Sequence, residues 1–355
     1  MSRVVLLGDE GTKRTVFLEK GVKEAGIRFD LVKWKDFQEM ESWQNIFLKI
    51  DPPLWENCRL EEMERLTEEY KENLRQLEKL GKKGNITFLN SPESIQALLN
   101  KRGCKKRLKE AGLPVTEALK NIDFIKQEKE AGSFQKEPAV PVLLEAMEKQ
   151  RIFQVFIKPN QGSGAAGVAA FCWQPRTGQM ILYTCGMEDP LTHGLVNTKR
   201  LRKFTDRDQV VSLLERLLGL EVVIERWYAK AKHQGFSYDL RAVVQDGRLD
   251  FVLARLSSGP ITNLHLNNHP LKGSELGLSP SVWNRVTTLC QEASTCYPGL
   301  RSVGIDILLE RGSLRPRIIE MNGQGDLIYQ DIYEKNVIYR HQAEMMREWL
   351  WKNQR

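Results

Sequence analysis

The chain has 355 residues, of which 41% are hydrophobic, and its 53 lysine and arginine residues outnumber its 46 aspartate and glutamate residues, giving a formal charge of +7. This length predicts about two or three domains with cores of their own, and the lack of a long apolar run argues against a membrane span and a signal peptide, so we expect a soluble, cytosolic protein. Six scattered cysteines without a C-x-x-C pair argue against a disulfide framework and a zinc site.

The N-terminal stretch predicts the start of a parallel α/β unit. Residues 3–8 indicate a short buried strand, which is followed by a turn, a helix that ends at Gly26 and a second strand-like run. Residues 59–80 carry apolar side chains at helical spacing and predict an amphipathic helix to which we assign no chemistry. We therefore expect an N-terminal α/β domain over 1–90.

A helical connector is predicted over 91–114. It begins with a strong capping signal at Ser91-Pro92, holds a helical pattern and turns at Gly112 and Pro114. Residues 121–150 are charged and punctuated by proline and glycine, which predicts a loop or insertion near a domain boundary.

The rest of the chain predicts two further domains, over 115–220 and 221–355. The first has strand-like runs at 153–159, 167–173 and 179–185 and a helix at 207–219; the second has β-rich runs joined as a hairpin at Asp246-Gly247 and a helical tail over 330–352. Basic clusters at 101–109 and 197–204 suggest solvated charge on helix and loop faces. Because no aromatic stacking pattern is interleaved with them, we expect no nucleic-acid partner.

The stretch "FIKPNQGSGAAGV" at 156–168 fits G-x-G-x-x-G through Gly162, Gly164 and Gly167. A dinucleotide-binding fold would require this loop to open a helix, but a β-branched and aromatic run follows, and Pro175 comes soon after it. A kinase would need valine where Ala169 stands, together with H-R-D and D-F-G motifs that do not occur.

A Walker A loop fails as well, because Val168 follows the last glycine where G-K-[ST] is required. The remaining interpretation is a glycine flap between two strands, with Lys158 on the upstream strand. Such a flap, with Ser163 at its centre, would lay backbone amides and an ammonium group over the phosphates of ATP.

Two acidic strands near the C-terminus predict a magnesium site. "GIDILLE" and "RPRIIEMN" read as neighbours joined at Gly312-Ser313, which would bring Asp306 beside Glu320, with Asn322 on the same side. Two carboxylates and an amide oxygen are donors that suit Mg²⁺. The flanking residues are expected to face the core: Ile305, Ile307, Ile319 and Met321. Two acids on a solvated sheet face are the alternative.

Arg255 follows the apolar run "FVLA" and therefore needs an anionic partner. A γ-phosphate or an acyl phosphate is the functional candidate, and a structural ion pair is the alternative. His265 and His269 are four residues apart, but the asparagines between them and Pro270 indicate a loop that faces substrate or phosphate rather than a zinc site.

Five segments in order resemble the ATP-grasp superfamily, and within it the RimK-like carboxylate-amine ligases, relatives of the ribosomal-protein glutamate ligase. The segments lie between about residues 90 and 330 and read "NSPESIQALLNKRGCKKRLKEAGLPV", "FIKPNQGSGAAGV", "VVIERWYAKAKHQGFSYDLRAVV", "ARLSSGPITNLHLNN" and "VGIDILLE...RPRIIEMNGQG". The resemblance implies an α/β (α+β) fold with an N-terminal α/β domain, a small flap-bearing lid domain and a C-terminal antiparallel-sheet domain. ATP would lie between the last two.

The resemblance also implies roles for particular residues. Lys101, Lys158 and the flap would contact phosphates, and Asp239 would bind ribose or orient Arg241. The adenine hinge would comprise Glu225, Arg226 and Trp227, although Trp227 could equally be core. The catalytic groups would be Arg255, Lys158 and Arg241, and the Mg²⁺ ligands would be Asp306, Glu320 and Asn322. Departures at Ala165, at Ile261 and after Asn322 touch substrate selection more than ATP binding.

The implied activity is ADP-forming ligation of a carboxylate and an amine through an acyl phosphate, with ATP and Mg²⁺ required. The substrates would be small molecules or peptides, and a homo-oligomer is left open. One alternative is a peptide- or protein-modifying relative that forms amide or ester links and docks its partner at 197–204. Another is an ATP-binding sensor that has lost turnover.

Overall fold

The computed structural model describes residues 2–40, 42–55, 59–120, 122, 138–162, 166–266, 268–323 and 333–353, apart from the side chains of 199 and 265. Within these ranges three sheets follow one another along the chain. No helix in the same ranges is both long and apolar enough to span a membrane. The cysteines that are described, at 104, 172, 185, 290 and 296, are free thiols.

The N-terminal sheet is parallel, as the sequence predicts, and its strand order is β2-β1-β3-β4. Its elements are β1 (Arg3–Leu7), α1 (Lys13–Glu24), β2 (Asp30–Val32), β3 (Ile46–Ile50), α2 (Leu60–Lys83) and β4 (Ile86–Phe88). Both faces of the sheet are buried, since Val5 and Leu7 face a core that includes α2 while Val4 and Leu6 face one that includes α1. Such double cover is typical of parallel sheets.

The connector consists of two helices rather than the single helical pattern predicted, α3 (Pro92–Leu99) and α4 (Lys101–Glu110). Asn100 breaks the pattern with an extended backbone, and its side-chain oxygen accepts a hydrogen bond of 2.9 Å from the amide of Gly103. Asparagine favours this capping role over a helix interior, so α4 starts afresh at Lys101.

Residues 139–149 form a helix, α5 (Ala139–Lys149), so the prediction of a loop over 121–150 is wrong for this part, while 123–137 lie outside the described residues. Val140, Leu143 and Met147 are buried at helical spacing. The carboxylate of Glu215 accepts hydrogen bonds of 2.8 Å from the first two amides of α5 and so caps its N-terminus.

The lid sheet is antiparallel, with the strand order β8-β7-β6-β5-β9. Its elements are β5 (Gln154–Pro159), β6 (Ala169–Gln174), β7 (Gln179–Glu188), β8 (Leu195–Phe204), α6 (Arg207–Leu218) and β9 (Val222–Arg226). The basic cluster at 197–204 lies in the edge strand β8, so its assignment to helix and loop faces is wrong. The segment is a strand because it pairs with β7. The polar composition of β8 does not indicate this pairing.

The C-terminal sheet is antiparallel as predicted, in the order β13-β12-β11-β14-β15, with β10 paired to β11. Its elements are β10 (Lys232–His233), β11 (Phe236–Gln245), β12 (Arg248–Ser257), β13 (His269–Lys272), α7 (Pro280–Thr295), β14 (Ser302–Leu309) and β15 (Pro316–Asn322). The predicted hairpin is confirmed, with positive φ values of 43° at Asp246 and 76° at Gly247. Helix α7 has no counterpart among the predicted elements.

The last helix, α8 (Val337–Asn353), returns to the N-terminal unit and packs against α1. Gly21 in α1 permits the contact, because a Cβ atom there would lie 2.7 Å from the carbonyl oxygen of Tyr339. The core beneath α8 includes Val4 from the N-terminal sheet and Val243 from the C-terminal sheet. One face of the C-terminal sheet is therefore apolar at this end and charged at the other.

Candidate active site

A cavity lies between the lid sheet and the C-terminal sheet, and the centre of a water-sized sphere can reach about 90 Å³ of it. The predicted site residues that line it are Lys101, Lys158, Gly162, Glu225, Arg226, Asp239, Arg255, Asp306 and Glu320. Residues separated by up to about two hundred positions in the sequence thus meet at one place.

The two predicted phosphate-binding lysines reach the cavity from different elements. Lys101 begins α4, and its ammonium group donates a 2.6 Å hydrogen bond to the carbonyl of Gly162. Burial lowers the pKa of Lys101, although Glu320 opposes this effect. Lys158 lies on β5, where burial again favours the neutral amine, but Glu225 and Glu320 outweigh it and raise the pKa of Lys158.

Glu225 is buried, and its carboxylate is bound to protein cations. One carboxylate oxygen lies 3.0 Å from the ammonium nitrogen of Lys158, and the other lies 2.8 Å from that of Lys105. The hydroxyl of Thr116 donates to Glu225 at 2.8 Å. Burial would raise the pKa of Glu225, but Lys105 and Lys158 hold it at about 2.

Lys105 and Thr116 were missed by the sequence interpretation. A signal existed for Lys105, which follows Lys101 by one helical turn and therefore lies on the same face of the predicted helix. This signal did not single out Lys105, because 101–109 contains four further basic residues besides Lys101 and Lys105. Its partner Glu225 is distant in sequence, so the pairing itself has no sequence signature.

The predicted pairing of the two acidic strands is confirmed, since Asp306 lies directly opposite Glu320 in the register of β14 and β15. Asp306 is bound by two arginines: its carboxylate lies 2.5 Å from the Nε atom of Arg241 and 3.0 Å from a terminal nitrogen of Arg255. Register also places Arg241 opposite Asp306 on β11, so all these groups share one face of the C-terminal sheet.

Arg255 forms a second ion pair, with two parallel hydrogen bonds of 2.7 and 2.9 Å to the carboxylate of Asp239. Lys230 lies 3.6 Å from the same carboxylate, and the Thr262 hydroxyl donates to it. Burial alone would raise the pKa of Asp239, but Arg255 and Lys230 hold it well below its ordinary value. Asp239 is thus the counterion of Arg255.

Ile319 does not face the core as predicted; it lines the cavity together with Glu320. The cause is a β-bulge: Asp306 pairs with Glu320 but Ile307 pairs with Ile318, so the alternation of side chains is shifted at Ile319. The other predicted core residues of these strands, Ile305, Ile307 and Met321, are buried in the core.

The donors on β15 fit a magnesium ion. Within the described part of the chain the carboxylate of Glu320 forms no hydrogen bond or ion pair, although Lys101 and Lys158 lower its pKa against the effect of burial. The amide nitrogen of Asn322 is buried and has no hydrogen-bond partner there either. A carboxylate and an amide oxygen that are not committed elsewhere, beside Asp306, form an oxygen donor set of the kind that Mg²⁺ prefers. In the described ranges no group of three His, Cys, Asp or Glu side chains could hold a metal ion.

The predicted hinge residues lie where β9 ends. Arg226 lines the cavity, and its amide donates to the carbonyl of Glu117 at 2.8 Å. The ring of Trp227 packs 5.3 Å from that of Phe156, and its amide donates to the carbonyl of Gln154 at 3.0 Å. Trp227 therefore supports Phe156, which itself lines the cavity.

The predicted flap is described at its two ends. Gly162 has a φ value of 111° and Gly167 one of 66°, and a Cβ atom on Gly167 would lie 2.8 Å from the ring of Pro159. Both positions therefore require glycine. Ser163, Gly164 and Ala165 lie outside the described residues.

Helix α2 of the N-terminal unit binds the lid. Leu60 is only 2% exposed and belongs to the core of the lid. The carboxylate of Glu61 accepts a 2.8 Å hydrogen bond from the amide of Leu195, and that of Glu64 accepts one of 2.8 Å from the amide of Glu221. The sequence interpretation assigned no chemistry to this helix, but two of its acidic residues bind lid amides.

Comparisons with known proteins find similarity in the fold but no match in the sequence. No protein-family model matches the chain, and no curated protein matches it. Solved structures do: the D-cycloserine synthetase DcsG has a TM-score of 0.61 at 12% identity, covering 98% of this chain and 99% of that one. D-alanine–D-alanine ligase from Bacillus anthracis has a TM-score of 0.58 at 11% identity, covering 99% and 98%.

The ATP-grasp ligase PsnB, in complex with a minimal precursor, has a TM-score of 0.56 at 15% identity, covering 98% of this chain and 99% of that one. The similarity therefore extends over all three sheets rather than over one domain. The fold predicted from five short segments is confirmed: this chain has the fold of the ATP-grasp ligases.

Proposed function

We propose that the protein is an ATP-dependent carboxylate-amine ligase of the RimK-like type, which forms an amide through an acyl phosphate and releases ADP and phosphate. One observation supports this most. Lys101 and Lys158 line the same cavity as the opposed pair Asp306 and Glu320, so cations for phosphates and oxygen donors for a metal converge. The neighbours also support it, since one D-alanine–D-alanine ligase was solved with ATP and PsnB with Mg and ADP.

In the proposed reaction the substrate carboxylate attacks the γ-phosphorus of ATP, the bond to ADP breaks, and the amine then attacks the acyl carbon and displaces phosphate. Lys101, Lys158 and the flap amides, with Ser163 and Gly164 among them, neutralise phosphate charge. Mg²⁺, held by Asp306, Glu320 and Asn322, would supply electrostatic stabilisation of the phosphates. The amine loses its proton to solvent.

The arginines have a second role in this proposal. Arg241 and Arg255 share Asp306 in the structure, and a carboxylate that binds a metal no longer needs both guanidinium groups. We assign Arg255, with Arg241, to the transferred phosphoryl group, and Asp239 to holding Arg255 in place. Ile261 is buried at the cavity, at the position where the related ligases commonly carry arginine. The end of the cavity that would bind the acceptor substrate is therefore less positive.

Other features remain part of the proposal. We assign adenine to the hinge of Glu225, Arg226 and Trp227, where the backbone and the ring of Phe156 would contact the base. The domain division at 1–90, 91–114, 115–220 and 221–355 stays a proposal, and β9 (Val222–Arg226), which pairs with β5, carries the lid sheet past its boundary at residue 220. The proposal includes a cytosolic location, and it is compatible with a homo-oligomer.

A peptide substrate is the second candidate. It is favoured by β8, an edge strand of the lid sheet on which Arg200 and Lys203 are exposed. An acidic extended peptide would complement this edge. PsnB was solved with its precursor peptide PsnA2 and AMPPNP.

The decisive experiment is a screen of amino acids, small acids and acidic peptides for ADP release that depends on both an acid and ATP. Hydroxylamine should trap the acyl phosphate as a hydroxamate while ADP accumulates. Lys158→Ala should weaken ATP binding, with the exposed Lys203→Ala as the matched control. AMP as the stoichiometric product would contradict the proposed mechanism.

A further inference from the structure

We infer that Lys105 positions the nucleotide phosphates without contacting them, by neutralising Glu225 so that Lys158 keeps a positive charge for the cavity. The inference rests on the proposed nucleotide-binding function. No predicted role belongs to Lys105, and it is not among the described residues that line the cavity.

The contacts define a closed arrangement behind the cavity wall. Lys105 is only 8% exposed; its ammonium group lies 2.8 Å from one oxygen of Glu225 and donates to the hydroxyl of Thr116 and, at 3.3 Å, to the Thr116 carbonyl. The other oxygen of Glu225 lies 3.0 Å from Lys158. Of the two lysines only Lys158 lines the cavity.

The charge balance gives Lys105 its effect. Without Lys105, Lys158 and Glu225 would form a neutral pair, and phosphates that approach Lys158 would also meet the carboxylate of Glu225. With Lys105 present, three buried ionic groups carry a net charge of +1, while Glu225 still fixes the position of Lys158. Because the groups are buried, water screens these interactions only weakly.

Stability alone does not account for the cluster. Burying three charged groups requires desolvation, and apolar side chains of similar volume often stabilise a core as well or better. An ordered cluster that places a lysine at the phosphate end of a nucleotide site has a function that apolar residues could not supply.

The test compares the affinities of ATP, ADP and adenosine without Mg²⁺ in the full chain. In Lys105→Met the affinities for ATP and ADP should fall about tenfold, because the site loses one unit of charge, while the affinity for adenosine stays within about twofold. Lys106→Met is the matched control. Lys106 lies on the same helix and its side chain is 78% exposed, so its loss should leave the affinities for ATP, ADP and adenosine unchanged.

The double variant Lys105→Met/Glu225→Gln restores the net charge of the cluster, so its preference for ATP over adenosine should return to within about threefold of that of the wild type, a ratio from which any loss at the adenine hinge cancels. Equal ATP affinity of Lys105→Met and wild type, an equal loss for adenosine, or no recovery in the double variant would each overturn the inference. If Lys105→Met does not fold, Lys105→Arg and the double variant both keep the net charge and must both keep the preference for ATP over adenosine; loss of this preference in either overturns the inference. A wild-type protein that binds no adenine nucleotide would overturn the proposed function itself.

Discussion

The two walls of the cavity handle charge differently. On the lid side Glu225, the one carboxylate among the described residues that line this wall, is bound by two lysines, and Lys101 adds a further positive charge. On the side of the C-terminal sheet Asp239 and Asp306 are bound by arginines, while Glu320 has no such partner in the described part of the chain. The lid carboxylate is thus already paired with protein cations, whereas Glu320 on the sheet wall is the acid that we propose for a metal ion.

The comparison predicts, first, that the lid wall is the more sensitive to loss of its acid. Glu225→Ala should lower the free energy of unfolding by about 3–5 kcal/mol, because it leaves two lysines buried without their shared counterion. Urea denaturation measures this difference. Glu221→Ala, which removes a half-buried carboxylate near the same strand, is the control and should cost less.

The sheet wall should give the opposite result. Glu320→Gln should lower the stability less than Glu225→Ala does, since no ion pair is broken, but should reduce kcat by about 10²–10³-fold because a ligand of the proposed metal is lost. Nucleotide binding without Mg²⁺ should persist. The measurements are ADP release and Mg²⁺ titration of nucleotide affinity, with the exposed Glu292→Gln as control. A kcat equal to that of the wild type would contradict the assignment of Glu320.

The lid wall also depends on a contact outside the cavity. Leu60→Ala should destabilise the protein by about 2–3 kcal/mol, because it removes a buried side chain of α2 from the lid core. Hydrogen exchange of the lid strands should quicken more than that of the N-terminal sheet. The exposed Leu54 gives a control, Leu54→Ala, with no comparable effect. Uniform quickening in both sheets would mean that α2 does not hold the lid specifically.

The pairing of acids on the sheet wall was largely predictable from sequence, whereas the pairing of Glu225 with Lys105 behind the lid wall was not. Asp306 and Glu320 are joined by a short turn, so strand alternation alone placed them side by side. The bulge at Ile319 was not predictable, because a shift of register depends on hydrogen bonds between both strands. Glu225 and Lys105 lie 120 positions apart, and only tertiary structure brings them together.

The prediction of secondary structure was wrong where the local composition was misleading. Helix α5 carries its apolar spacing within a segment that charge and Pro141 made resemble a loop. The strand β8 is basic and polar, yet pairing with β7 determines its conformation, so that propensity is overridden by the sheet.

The last effect concerns acid stability, and it distinguishes the two walls again. The pKa of Glu225 is lowered from its ordinary value of 4.5 to about 2, chiefly by Lys105 and Lys158 against the opposing effect of burial. A carboxyl group with a lowered pKa in the folded state stabilises the protein fully above pH 4.5 and loses this contribution as the pH falls towards 2. The loss should reach about 3 kcal/mol in the wild type.

In Glu225→Gln the carboxyl group is absent, so the free energy of unfolding of this variant should fall less steeply over the same pH interval, even though it starts lower. Chemical denaturation of both proteins at several pH values between 5 and 2 measures the two slopes. Parallel curves would mean that Glu225 shares no charge with the two lysines, and the picture of a lid wall completed by its own counterions would fail.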